Sequence, residues 1–155
     1  MILGQHSKIA ATGSDISAQV EIGNYTSIAP YVQMHSIHNH ACIQNRALVS
    51  TFQLPTYPDP VGRDKIVIGS DVWVGRNVVI LGGVTIGHGA IIGAFSVIAK
   101  DVSPYAVVVG NPAIVKRYRF TPTQIDHLLK IKWWDWSEEE MSERQHELLD
   151  IGNFG

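Results

Sequence analysis

Three histidines fall within one six-residue stretch, His35, His38 and His40, and no other part of the chain is as dense in groups that can move protons. A neutral imidazole can take the proton from a hydroxyl or amine as that group attacks, and the same ring is a common metal ligand. Cys42, the single cysteine, follows His40 by two residues and could act as a nucleophile. Nothing but proximity pairs it with a base, so an inert thiol is the simpler reading. A second group is cationic: Lys100, then Lys116, Arg117 and Arg119 in the segment VKRYR. Such side chains can hold phosphates, an ordinary solvated face being the alternative. Trp133, Trp134 and Trp136 read as a packing corner rather than a ligand cage.

The elements that must position these groups are set by a repeat. Ile68, Val74, Ile80, Ile86, Ile92 and Ile98 recur every sixth residue, and Val72, Val78, Val84, Ala90, Ser96 and Val102 form a second series four positions after them. Gly69, Gly75, Gly87 and Gly93 directly follow the first series. An earlier block keeps the pattern at Ile16, Ile22, Ile28 and Met34. A helix of about 3.6 residues per turn rotates a six-residue repeat off any one face. Short strands joined by tight turns keep it, and three six-residue sides per coil stack the aliphatics inward, with the glycines expected to supply permissive turn backbone. The fold expected is an all-β solenoid with a small helical C-terminal cap.

Met34 and Ile68 are 34 residues apart, which is not a multiple of six, so the two blocks are out of phase. The segment between them, with three His, three Pro and no repeat, is predicted to leave the solenoid as a long loop over 35–66. After Pro104 the repeat fades. Thr121-Pro122-Thr123-Gln124 and Ser137-Glu138-Glu139-Glu140 are capping boxes that start two helices, the second running to about Leu149. Residues 1–119 are thus assigned to the solenoid and 120–155 to the cap.

The 155 residues suit one main domain, and 12 Lys plus Arg against 14 Asp plus Glu give a net charge of -2. That balance excludes a general basic field for nucleic acid or an anionic membrane. No apolar run reaches the roughly 20 residues a membrane span needs. With neither a signal core nor a pair of cysteines, the chain is expected in the cytoplasm.

The stretches IGNYTSIAPYV (22–32), IGSDVWVGRNVVILGGVTIGHGAIIGAFSVIAKDV (68–102), GNPA (110–113) and LLKIKWWDWSEEEM (128–141) resemble the hexapeptide-repeat acyltransferases, and the last resembles their xenobiotic acetyltransferase branch. The resemblance implies a left-handed parallel β-helix interrupted by a long loop, a homotrimer with sites between subunits, and acetyl-CoA as acyl donor. It places the catalytic base on the loop, at His40 by the Asn-His wording, or else at His38 or His35. It assigns cofactor contacts to Trp73, Gly75, Ala94, Ala99, Lys100, Gly110, Asn111, Pro112, Lys116 and Arg117. Lys100 and Arg117 would meet phosphates, Pro112 the adenine, and Ala94, Ala99 and Gly110-Asn111 the pantetheine arm. Some carbonic anhydrases share the repeat and hold zinc with coil histidines; here the coils 68–103 carry only His88, so no metal is expected.

The expected reaction is acetyl transfer to a hydroxyl or amine of a small polar acceptor. Drug-acetylating members carry a longer N-terminal region that has no counterpart here, which favours a sugar of a surface polysaccharide or its nucleotide-sugar precursor. A chloramphenicol or streptogramin O-acetyltransferase is the alternative, and a non-catalytic trimeric scaffold a third reading.

Overall fold

The computed structural model describes residues 1–10, 12–16, 18–35 and 65–152. Three sheets, here A, B and C, are visited in turn. Sheet A holds β1 (Ile2–Leu3), β4 (Val20–Ile22), β7 (Ile66–Ile68) and β10 (Thr85–Ile86). Sheet B holds β2 (Lys8–Ile9), β5 (Ser27–Ile28), β8 (Trp73–Val74), β11 (Ile91–Ile92), β13 (Ala106–Gly110) and β14 (Ala113–Tyr118). Sheet C holds β3 (Asp15–Ile16), β6 (Gln33–His35), β9 (Val79–Leu81) and β12 (Val97–Ile98). All pairs are parallel except β13 with β14.

Partners lie 18 residues apart, as in Val67 with Thr85, Trp73 with Ile91 and Val79 with Val97, so one coil is three six-residue sides. Both series of repeat positions are buried: Ile68, Val74, Ile80, Ile86, Ile92 and Ile98 with Val72, Val78, Val84, Ala90, Ser96 and Val102. Two inward residues per side, separated by an outward one, are what a strand's period of two gives. Thr26, buried among them, stays satisfied because its hydroxyl donates to the Gly69 carbonyl at 2.8 Å.

The repeat glycines serve space rather than backbone freedom, which corrects the expectation above. A Cβ on Gly69, Gly75 or Gly87 would come within 2.7, 2.6 and 2.6 Å of backbone nitrogens of His88, Ala94 and Pro104 in the next coil. The left-handed turn positions come two residues later, at Tyr25, Tyr31, Asp71, Asn77, Gly89, Phe95 and Tyr105.

Between sheet C and the return to sheet A, partners Val20 and Ile66 are 46 residues apart. The phase break thus coincides with an excursion after β6, and residues 36–64 lie outside the described part of the chain. The last coil is shorter: Ile91 pairs with Val107 only 16 residues on, and the chain then doubles back as an antiparallel hairpin.

Helix α1 (Pro122–Ile131) starts on a formed capping box of Thr121 and Gln124, and α2 (Glu138–Gly152) on the reciprocal bonds of Ser137 and Glu140. A 3-10 turn, Trp133–Asp135, joins them. These elements pack on the corner between sheets A and B. Trp134, 3% exposed, stacks on His88 at 4.4 Å, Trp133 meets Tyr25 at 5.3 Å, and Phe120 meets Tyr105 edge-on at 5.5 Å. Among the described residues no helix is long and apolar enough to cross a membrane.

Candidate active site

The outward residues of sheet B form two adjacent rows. Trp73, Ile91, Val107 and Arg117 are successive partners across β8, β11, β13 and β14, and Trp73 is 46% exposed. Their side chains share one face because residues opposite each other on paired strands project to the same side. Beside this ridge runs a shallower row through Gly75, Gly93, Val109 and Ile114. A Cβ on Gly93 would meet Val109 Cγ1 at 2.4 Å, and Gly75 backs onto Ala94. The result is a slot with an apolar ridge, a glycine floor and cationic residues at its upper end.

The slot ends at the corner between sheets B and C. There Gly110 N donates to Ser96 Oγ at 3.1 Å, tying the Gly110-Asn111-Pro112 turn, with its cis Asn111–Pro112 peptide, to the coil below. Ala94, Gly110, Asn111 and Pro112 are all exposed at this corner. A bulge in the β13–β14 ladder follows Val107, so Lys116 and Arg117 together oppose that residue, both exposed. Eight of the sequence-predicted residues are therefore gathered along one side: Trp73, Gly75, Ala94, Gly110, Asn111, Pro112, Lys116 and Arg117.

Ala99 and Lys100 are not among them. They follow β12 where sheet C hands over to sheet A, a different corner, and the neighbouring Asp101 accepts from Thr85 N at 2.8 Å. The excursion that carries the histidines leaves from the same corner. His35 ends β6 opposite Leu81, its Nε2 3.2 Å from Gln33 Oε1. His38 and His40, and Cys42 after them, lie outside the described residues. On one chain the root of the histidine loop and Lys100 share one corner, while the slot and Arg117 occupy another side.

Two groups behave differently from their sequence appearance. Arg119 is not a free cation: its Nη1 donates to Asp71 Oδ2 at 2.8 Å and to the Gly89 carbonyl at 2.7 Å, and its N–H donates to the Tyr105 carbonyl. It thus fastens the end of β14 to two coil corners. Burial raises the Asp71 carboxyl above its ordinary range, against the opposing charge and hydrogen bond of Arg119. His88 accepts the Ser70 N–H on Nδ1 at 2.9 Å, so that nitrogen is unprotonated. Burial lowers its pKa, Asp135 raises it and Lys132 lowers it. Tyr105, fully buried beneath Phe120, has its hydroxyl pushed up to about 12, by burial first. Its partners put Arg119 in the scaffold, a role that needs three-dimensional contacts and leaves no mark in the segment VKRYR. Among the described residues no three His, Cys, Asp or Glu side chains converge as metal ligands.

Comparison with known proteins gives these residues a context. Residues 65–100 match the bacterial transferase hexapeptide (six repeats) family. The chain is 49% identical over 86 residues to a chloramphenicol acetyltransferase of Escherichia coli, covering 56% of this chain and 41% of that protein. It is 48% identical over 87 residues to a probable macrolide acetyltransferase of Lysinibacillus sphaericus, covering 56% and 48% respectively. Among solved structures it is similar to a hexapeptide-repeat containing acetyltransferase from Vibrio cholerae, with TM-score 0.60, 30% identity, and 75% of this chain and 61% of that one covered. That protein has also been solved with acetyl coenzyme A. The chain thus spans about half the length, or less, of the curated relatives it matches.

Proposed function

Because this chain belongs to the hexapeptide-repeat transferases, we propose that it is an acetyltransferase that moves acetyl from acetyl-CoA to a hydroxyl or amine of a small polar acceptor. Its coils wind left-handed, as in the left-handed β-helix of that family. The observation that carries the reading is the division of the expected residues between two sides. Slot, Gly110–Pro112 turn and Arg117 lie along sheet B, whereas Lys100 and the root of the histidine loop lie at the corner between sheets C and A. A site assembled between copies joins the two halves, and a closed homotrimer supplies three such junctions. Sheet C adds the outward aliphatics Val79, Leu81 and Val97 for that contact, whereas sheet A is fronted by the Lys65–Glu21 ion pair.

In the assembled site the pantetheine arm lies along the glycine floor, and Arg117 and Lys116 of one copy with Lys100 of the next hold the phosphates. His40, or His38 beside it, takes the acceptor's proton as that atom attacks the thioester carbonyl. The acceptor carries off the acetyl group, and coenzyme A leaves as the thiol. No covalent enzyme intermediate is required. We place this reaction in the cytoplasm, where acetyl-CoA is made.

A sugar hydroxyl of a surface polysaccharide or its precursor remains the favoured acceptor. The likeness to the polySia specific acetyltransferase NeuO, with TM-score 0.58 and 30% identity, supports it. The chloramphenicol and macrolide relatives favour a second reading, an antibiotic acceptor. Turnover of acetyl-CoA against both acceptor panels separates them, and turnover of the drugs alone would reverse the preference. The shared site has its own test. Co-assembling a double variant, His38→Ala with His40→Ala, with Arg117→Ala should restore activity in about a quarter of sites when copies mix freely. No recovery above either variant alone would place the whole site within one chain.

A further inference from the structure

Phe95 is the residue whose placement the scaffold does not explain. It sits at φ 60, in the left-handed region, at a turn position held in other coils by Asp71, Asn77 and Gly89. Asp, Asn and Gly accept that conformation readily, whereas a bulky side chain is strained there. Other aromatic residues at such turns are repaid by packing. Tyr105 is fully buried over Gly89, Tyr25 stacks on His6 at 4.8 Å, and Tyr31 carries the Arg76 guanidinium at 4.7 Å. Phe95 is 71% exposed, against 39% for Tyr31. Its ring is exposed and its backbone strained at the same time, so nothing within the chain itself accounts for it.

Its neighbours place it on the slot. Ala94, before it, rests on the glycine floor at Gly75, and Ser96, after it, holds Gly110 of the terminal turn. Along sheet B it sits at the level of β11, between Gly75 on β8 and the hairpin carrying Arg117. Arg117 is two strands further on, about 10 Å at the usual strand spacing. We propose that Phe95 is a specificity-determining residue whose ring forms the apolar wall of the slot against the pantetheine arm, packing on its geminal methyl and methylene groups. The inference rests on the acetyl-CoA reading. The phosphates and adenine lie beyond it, at the cationic end.

The test compares the parent chain with Phe95→Gly, which suits the left-handed turn, and Phe95→Tyr, which keeps the ring. Binding of coenzyme A is measured by calorimetry, and pantetheine and adenosine 3′,5′-bisphosphate by competition, with thermal melting and sedimentation on the same samples. For Phe95→Gly the melting midpoint is expected to rise, because strain is relieved, while coenzyme A and pantetheine bind about tenfold more weakly. Adenosine 3′,5′-bisphosphate is expected to bind as to the parent, and Phe95→Tyr to match the parent throughout. Unchanged coenzyme A affinity in Phe95→Gly overturns the assignment, as does equal weakening of pantetheine and the nucleotide. Dissociation of the oligomer with affinity per site intact would make Phe95 a contact between copies instead. A parent chain that binds no coenzyme A fails earlier, and sinks the acetyl-CoA reading together with this inference.

Discussion

Replacing Arg119 by Met keeps a long apolar stem and removes the charge that holds the end of β14. Two short hydrogen bonds disappear, to Asp71 Oδ2 at 2.8 Å and to the Gly89 carbonyl at 2.7 Å. Both partners of the ion pair are 24% exposed, so solvent screens them only in part. A charge-assisted bond contributes about 1.5–3 kcal/mol and breaking a fully buried pair costs about 3–5, so a loss of about 2–3 kcal/mol is expected at this half-buried site. For a chain of this size that lowers the melting midpoint by roughly 4–12 °C. The loss should also depend on pH. Burial raises the Asp71 carboxyl, and Arg119 supplies both influences that lower it. Without Arg119 the folded chain keeps a proton on Asp71 at pH values where the unfolded chain has lost it. Folding is then disfavoured as pH rises through that window, and the deficit shrinks as pH falls through it. Chemical denaturation of parent and variant from about pH 8 to about pH 4 measures this, and Asp71→Asn in the variant background should recover part of the stability at every pH. A deficit that stays flat across that range would refute the electrostatic account and leave Arg119 as a packing residue.

The remaining expectations concern the scaffold and the docked helices. Ile92→Ala, at a fully buried coil position, should cost about 2–5 kcal/mol in denaturant unfolding. Gly75→Ala should lower stability without any φ constraint being violated, since its methyl would stand 2.6 Å from Ala94 N. Its melting midpoint should therefore fall, and an unchanged one would refute the close-approach argument. His88 accepts the Ser70 N–H only when neutral, and its pKa is lowered in the folded chain. Its contribution is therefore intact above the ordinary imidazole range and declines as pH falls through it. Tryptophan fluorescence should report loosening of Trp134 on that acid side, and His88→Asn, which can accept the same bond without titrating, should abolish the decline.

Much of the scaffold is legible because its period is local. Each inward position from Ile68 to Val102 announces itself by residue type at a fixed interval, and each proves buried. The capping boxes at Thr121 and Ser137 are equally local, and both form. The repeat glycines are legible as positions but not as causes, because a missing Cβ can serve a turn or a close approach, and only the neighbouring coil decides. The final hairpin is invisible, since AVVVGNPAIVKRYR keeps apolar strand residues while reversing direction. For the site, residue type suggests cations, but topology sorts them. Lys100 comes out at one corner, Arg117 on the slot, and Arg119 in an ion pair with a residue 48 positions earlier. No spacing rule along the chain encodes such a partner.

The antiparallel β14 has a consequence for self-association. Stacked parallel coils end in a row of unpaired backbone groups that could template another coil, from this chain or a second one. Here the last strand runs the wrong way to continue the winding, is bulged after Val107, and carries Lys116 and Arg117 side by side. Reversal, bulge and charge are all devices that discourage strand-on-strand polymerisation. The cations at the mouth of the slot thus also stand guard over the growing end of the solenoid, so neutralising both should leave a protein with a greater tendency to form fibres.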